Sequence, residues 1–237
     1  MQQAIQGVLF DKDGTLLDFD RTWTPVSRRC AAAVGRTPSE VADLLAASGH
    51  DPRTDRFRAG SPMVAGTAVD VAQAYAEVLQ DGRTVADLAS IVDRIFLEVA
   101  GGLAVPVHDL RPTVETLRSR GLCLGVATSD NTASAEAALA RLELRAHFAF
   151  VCGYDAGFGA KPGPGMVVGF CTATGLQACE VAVVGDSAHD LHMARAAGAG
   201  LAVGVLTGPA TRAELEHDAD VVLGSIAELP RWLSANG

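Results

Sequence analysis

The sequence contains no uninterrupted apolar run of about 18 residues, so it predicts no membrane-spanning helix. It also lacks any cluster of Lys and Arg. Its 19 basic residues are scattered and outnumbered by 28 acidic ones, which excludes the usual surfaces for nucleic acid or anionic membrane. Cysteine is sparse and irregular. Cys30, Cys123, Cys152, Cys171 and Cys179 are odd in number and form no C-x-x-C, so neither a disulfide framework nor a structural metal knuckle is expected. The opening MQQAIQGVLFDKDG has no basic stretch before its short apolar run and does not resemble a signal peptide. There is no internal repeat and no low-complexity segment. These absences leave a cytoplasmic globular protein with reduced thiols, a monomer or homodimer, with no nucleic-acid or membrane partner. Its 237 residues suffice for one large domain or two modest ones.

What the chain does have is a series of short apolar runs: IQGVLF (5–10), LCLGVAT (122–128), FAFVC (148–152), VAVVG (181–185), LAVGV (201–205) and ADVVL (219–223). Each is rich in Val, Leu or Ala and ends near Gly, Asp, Ser or Thr, as strands buried on both faces do. Helical patterns such as RPTVETLRSRG, TASAEAALARLEL, GPGMVVGFCTATG and DLHMARAAG lie between the later ones. Strand and helix alternating at these lengths predict an α/β fold, a Rossmann-like parallel sheet with helices on both faces.

Residues 17–105 break this alternation. They carry helical runs near 26–47, 66–80 and 85–100 with no comparable strand, and GHDPRTDRFRAGSPM reads as a long polar loop. The organisation predicted is a core of residues 1–16 and 106–237 with an all-helical cap, 17–105, inserted after the first strand. VPVHDLRP marks the return to the core, with His108 and Asp109 as hinge residues.

Ligands of open α/β sheets bind outside the carboxyl ends of the strands. The first strand ends in Asp11-Lys12-Asp13-Gly14-Thr15, the second in Thr128-Ser129-Asp130, the fourth in Gly185-Asp186-Ser187. Gly159-Ala160-Lys161-Pro162 precedes the helix leading into that fourth strand. Crowded carboxylates at a buried strand end need a cation between them. Mg²⁺ prefers carboxylate and phosphate oxygens, and Asp11 and Asp186 can supply the former. A carboxylate beside a metal and a phosphate is a competent nucleophile, which suits Asp11. Asp13 can protonate a leaving alcohol and then deprotonate water. Lys161 and the hydroxyls of Thr128 and Ser129 can hold the phosphoryl oxygens.

D-x-D-G-T after an apolar strand, then Thr128 at a strand end, Lys161, and Gly185-Asp186-x-x-x-Asp190, in that order, resemble the four signatures of the haloacid dehalogenase superfamily. The inserted helices match the cap of that family, and the layout is similar to phosphoglycolate-phosphatase-like enzymes. The resemblance implies Asp11 as nucleophile, Asp13 as general acid/base, Mg²⁺ held by Asp11, Asp186 and the Asp13 carbonyl, and Asp190 as support behind the metal. An acid at Asp13 marks a phosphoryl-transfer member rather than a dehalogenase. Lys12, Asp130 and His189 depart from the pattern, and Asp130 adds a negative charge near an anionic substrate.

The function expected is Mg²⁺-dependent hydrolysis of a small phosphorylated metabolite, phosphoglycolate-like or a sugar phosphate, through an aspartyl-phosphate. A phosphomutase on the same scaffold and a catalytically silent phosphometabolite-binding protein are the alternatives. In the cap, Trp23 and the arginines Arg53, Arg56 and Arg58 are specificity candidates, because Arg suits bidentate recognition of a second anionic group. Gly-Asp-Ser187 does not complete a hydrolase elbow, and Gly157-x-Gly159 does not complete a dinucleotide turn.

Overall fold

Short runs that are apolar on both faces are stable only when helices cover each side of the sheet they form. In the computed structural model, which describes residues 4–236, all six runs join one parallel sheet. The chain begins with β1 (Gly7–Phe10). There follow α1 (Phe19–Val34), α2 (Pro38–Ser48), β2 (His50–Asp51), β3 (Arg56–Phe57), α3 (Pro62–Ala65), α4 (Ala68–Leu79), α5 (Val85–Ile95) and α6 (Gly101–Leu103). It then alternates through α7 (Leu110–Ser119), β4 (Cys123–Ala127), α8 (Thr132–Arg141), β5 (Phe150–Cys152), α9 (Gly165–Thr174) and β6 (Val181–Gly185). The last elements are α10 (Ala188–Ala197), β7 (Leu201–Val205), α11 (Arg212–Leu215), β8 (Val221–Leu223) and α12 (Leu229–Asn236).

The strand order is β5-β4-β1-β6-β7-β8. Phe10 at the end of β1 lies opposite Val126 on one side and Val184 on the other. The chain builds outward through β4 and β5 and then returns to the other side of β1 at β6. This reversal opens a crevice beyond the carboxyl ends of β1 and β6, where ligands of such sheets bind. Period-two alternation sorts β1 between the faces. Val8 and Phe10 join Leu124, Val114 and Leu117 on one side, while Leu9 joins Phe170, Met166 and Leu191 on the other.

Residues between β1 and β4 carry an apolar cluster of their own, built around Trp23, Leu44, Tyr75, Leu88 and Val92. The run near 26–47 is two helices, not one. Gly35 ends α1, and Thr37 caps α2 by accepting from the Glu40 amide, with Pro38 at the first helical position. The region is also not all-helical. The expected loop folds into an antiparallel ladder, His50 opposite Phe57 and Asp51 opposite Arg56. Phe57 is buried against Phe19 (centroids 5.6 Å apart), and His50 Nε2 lies 2.8 Å from Asp55 Oδ1 across the turn. The polar run hid one buried aromatic, and that residue fixes the hairpin.

The two crossings between this helical region and the sheet run side by side. The Asp18 amide donates to the Val105 carbonyl at 2.8 Å and the Val107 amide to the Leu16 carbonyl at 3.0 Å. Among the described residues no helix is long and apolar enough to cross a membrane. Burial pushes the thiols of Cys30 and Cys152 up to about 12, which keeps them protonated and unreactive.

Because Leu88 is fully buried in the inserted region's cluster, Leu88→Ala should destabilise the protein by about 2–5 kcal/mol. Urea unfolding of the two proteins measures this, and an unchanged midpoint would contradict the packing described.

Candidate active site

At the end of β1 the chain turns sharply. The amides of Leu16 and Leu17 both donate to the Lys12 carbonyl at 2.9 Å, and the Gly14 amide donates to the Leu17 carbonyl at 2.8 Å. Gly14 has φ +85°, a left-handed conformation that favours glycine, and a Cβ there would collide with the Asp186 carboxylate. The turn therefore brings Asp11 and Asp13 over the sheet edge beside the Asp186 side chain from the end of β6. On the far side, a Cβ at Gly208, just past β7, would also collide with Asp186. Thr207 fastens the two loops together, its hydroxyl donating to the Gly14 carbonyl at 2.6 Å.

Two buried ammonium groups organise the acids. Lys161 Nζ lies 2.5 Å from Asp11 Oδ1 and 2.5 Å from Asp190 Oδ1. Burial alone would lower the Lys161 pKa, but these two carboxylates raise it above the ordinary lysine range. Asp190, in the first turn of α10, uses its other oxygen to accept from the Ser187 amide (3.2 Å) and hydroxyl (2.6 Å). Lys12, 1% exposed, lies 2.7 Å from Asp13 Oδ2 and 3.0 Å from Asp130 Oδ2. Its charge also sits 5.3 Å from the centroid of the Trp23 ring, a cation–π contact. The Trp23 indole N–H donates to the other Asp13 oxygen at 2.5 Å. Lys12 and Asp130, each a departure from the expected motifs, are thus partners across 118 positions of sequence, and Lys12 offsets the negative charge of Asp130.

Asp186 has no such partner, as no ion pair reaches it among the described residues. Burial pushes its carboxyl well above the usual range, and Asp11 and Asp190 push it further. Asp11 is raised to about 7, chiefly by burial, with Lys161 pulling it down and Asp190 and Asp13 pushing it up. Asp13 is raised for the same leading reason, against the pull of Lys12. Oxygens of Asp11, Asp186 and Asp190 lie within 4.8 Å of one another. Hard oxygen donors this close, and this costly to ionise together, suit a divalent cation such as Mg²⁺. Both Asp190 oxygens are engaged, so the donors with capacity to spare are on Asp11 and Asp186.

Thr128, buried at the end of β4, accepts from the Asp130 amide at 3.1 Å, which leaves its hydroxyl proton to donate. Thr128, Ser129, Lys161 and all five aspartates line one pocket. Trp23 lines it too, alongside Phe19, Met63, Val64, Ala65 and Phe96 from the inserted region. The three arginines do not. Arg53 reaches only Asp51, Arg56 pairs with Asp20, and Arg58 donates to the Ala46 carbonyl, all on the exposed surface. The hairpin accounts for this, because it turns 53–58 outward while burying Phe57. Residues the motifs did not point to are Thr207 and Gly208, whose one sequence signal is that they follow the strand LAVGV. Three others bridge the inserted region and the core. Tyr154 donates to Asp93 at 2.6 Å, and Asn131 lies 3.4 Å from the same carboxylate.

An acid pair at the end of a central parallel strand thus faces a lysine and further acids across one crevice. The chain belongs to the haloacid dehalogenase-like hydrolases, whose family profile matches residues 5–198, and within that family it is a phosphatase. It is 32% identical over 235 residues to a phosphoglycolate phosphatase of Chromobacterium violaceum, covering 95% of each chain. A phosphoglycolate phosphatase of Neisseria meningitidis is 29% identical, over 96% of this chain and 93% of the relative. Among solved structures, a predicted phosphoglycolate phosphatase from Haemophilus somnus shares the fold, with TM-score 0.76, 19% identity and coverage of 98% and 99%.

Gly208→Ala should displace the Asp186 side chain and lower activity about 10–100-fold, the usual cost of disturbing a group that positions a site residue. Turnover reads this, with a far-ultraviolet spectrum to show that the fold persists. Lys12→Met should cost about 3–5 kcal/mol by leaving buried carboxylates unpaired. Adding Asp130→Asn should recover part of that loss in urea unfolding, whereas strict additivity would mean that the two residues are not coupled.

Proposed function

We propose that the chain hydrolyses a small phosphomonoester through an aspartyl-phosphate on Asp11, with Mg²⁺ held by Asp11, Asp186 and the Asp13 carbonyl. The observation that carries this reading is the placement of Asp11 against Lys161, with Asp13 two residues on and Asp186 alongside. When bound, Mg²⁺ neutralises the crowded carboxylates and draws charge from the phosphoryl oxygens.

Asp11 attacks phosphorus, and an Asp11–phosphorus bond replaces the bond to the ester oxygen. Asp13, in its acid form, gives its proton to the departing oxygen. As a carboxylate it then takes a proton from water, whose oxygen displaces Asp11 and releases inorganic phosphate. Burial shifts the Asp13 carboxyl upward, the direction that favours its acid form, against the pull of Lys12 and Trp23. Lys12 and Trp23 grip the two Asp13 oxygens and hold its carboxyl in place. Lys161, Thr128 and Ser129 steady the phosphoryl oxygens, and Asp190 orients Lys161. The unit 17–105 acts as a cap, which shields the first transfer from bulk water. The relatives are named for phosphoglycolate, and the substrate class proposed for this chain is a small phosphorylated metabolite met in the cytoplasm.

Phosphate release from p-nitrophenyl phosphate and from alkyl phosphates should require Mg²⁺, stop with EDTA and vanish in Asp11→Asn. Asp13→Asn should slow the alkyl esters more than the aryl ester, whose leaving group needs no proton. Isomerisation of a sugar phosphate without net phosphate release would instead indicate a mutase.

A further inference from the structure

The pocket has a polar floor and an apolar roof. The acids and Lys161 come from the sheet edge, and the inserted region faces them with Phe19, Trp23, Met63, Val64, Ala65 and Phe96. The one polar side-chain group on that wall, the Trp23 N–H, is already spent on Asp13. Lys161 is the sole cation among the described lining residues, and Asp11 and Asp190 share it. Lys12, behind the lining, is shared by Asp13 and Asp130. Five carboxylates therefore face two ammonium groups. One divalent cation and one phosphoryl group leave no positive charge for a second anion on the substrate. His189 lies in the adjoining groove beside Glu214, its Nδ1 3.1 Å from the Ala65 carbonyl.

Resting on the phosphatase reading above, we infer that this site selects phosphomonoesters whose leaving group is small, uncharged and mainly apolar, and disfavours those carrying a second anion. A carboxylate on the leaving group would be stripped of water against an apolar wall with no partner, a costly arrangement. A short alkyl chain would bury its carbons against the same wall, which is favourable. The site thus differs in substrate class from the phosphoglycolate phosphatases the chain resembles. On the wall facing the acids stand Met63, Val64 and Ala65, none of which can pair with an anion.

Pairs that exchange a terminal methyl for a carboxylate test this: ethyl phosphate against phosphoglycolate, and propyl phosphate against 3-phosphooxypropanoate, with p-nitrophenyl phosphate and Mg²⁺ as reference. The neutral member of each pair should have the higher kcat/KM by about 100-fold, in line with an unpaired buried charge. Equal or better turnover of the anionic members, with p-nitrophenyl phosphate hydrolysed, would overturn this inference and leave the phosphatase reading standing. No release from any compound would overturn both. Val64 is only half-buried, so Val64→Arg places a cation on the wall with little disturbance. It should raise kcat/KM for phosphoglycolate relative to ethyl phosphate by at least about tenfold, mainly through KM. An unchanged ratio in a variant that still hydrolyses p-nitrophenyl phosphate would show that the wall does not set the preference.

Discussion

Five carboxylates at one edge of a buried sheet would repel one another and resist ionisation were it not for two ammonium groups placed among them. Lys161 binds the β1 end to α10 through Asp11 and Asp190. Lys12 binds the same turn to the loop after β4 through Asp13 and Asp130. Such pairs repay their desolvation only when geometry is good and the remaining oxygens are satisfied. For Asp190, Asp13 and Asp130 they are, by Ser187, Trp23 and the Asn131 amide, whereas Asp11 keeps one oxygen to spare. Asp186 alone stays uncompensated, and the charge balance of the site points to a cation beside it.

The sheet topology is what brings these groups together. With β1 between β4 and β6, the ends of all three strands open on one crevice, and Phe10, Val126 and Val184 stand in register just below it. Residues of the long connection between β1 and β4 line the same crevice. The first helix of that connection supplies Trp23, which packs edge-on against Phe96 (4.7 Å between centroids), grips Asp13 and covers Lys12. Trp23 thus belongs at once to the apolar cluster of the insertion and to the acid pair, and couples the position of one to the geometry of the other.

Much of this was legible in the chain. The six apolar runs all became strands of one sheet because a fully buried strand carries its signal in its own composition. Asp11, Asp13, Thr128 and Asp186 stood out because each sits at or just past a strand end, and Lys161 because it stands in the loop before the helix that leads into β6. The hairpin over 50–57 was not legible, since a two-residue ladder held by one buried Phe57 leaves too short a pattern to read. Nor was the direction of Arg53, Arg56 and Arg58. Composition says that arginines suit anions, but the turn that buries Phe57 points them at Asp51, Asp20 and a carbonyl on the surface.

The sequence by itself determined the α/β alternation and the residue types at each strand end, because these depend on local periodicity and on neighbours in the chain. Tertiary structure alone decided which charges meet. Lys12 and Asp130 look like two unrelated departures in sequence, and only the pairing of β1 with β4 brings them within 3.0 Å. Gly208 reads as an ordinary loop glycine until the fold sets it against Asp186. The apolar roof of the site is likewise assembled from α1, the short α3 segment and the turn after α5, and no stretch of sequence contains it. Coulombic pairing and close packing act through space, so partners far apart in the chain are found only once the fold has brought them together.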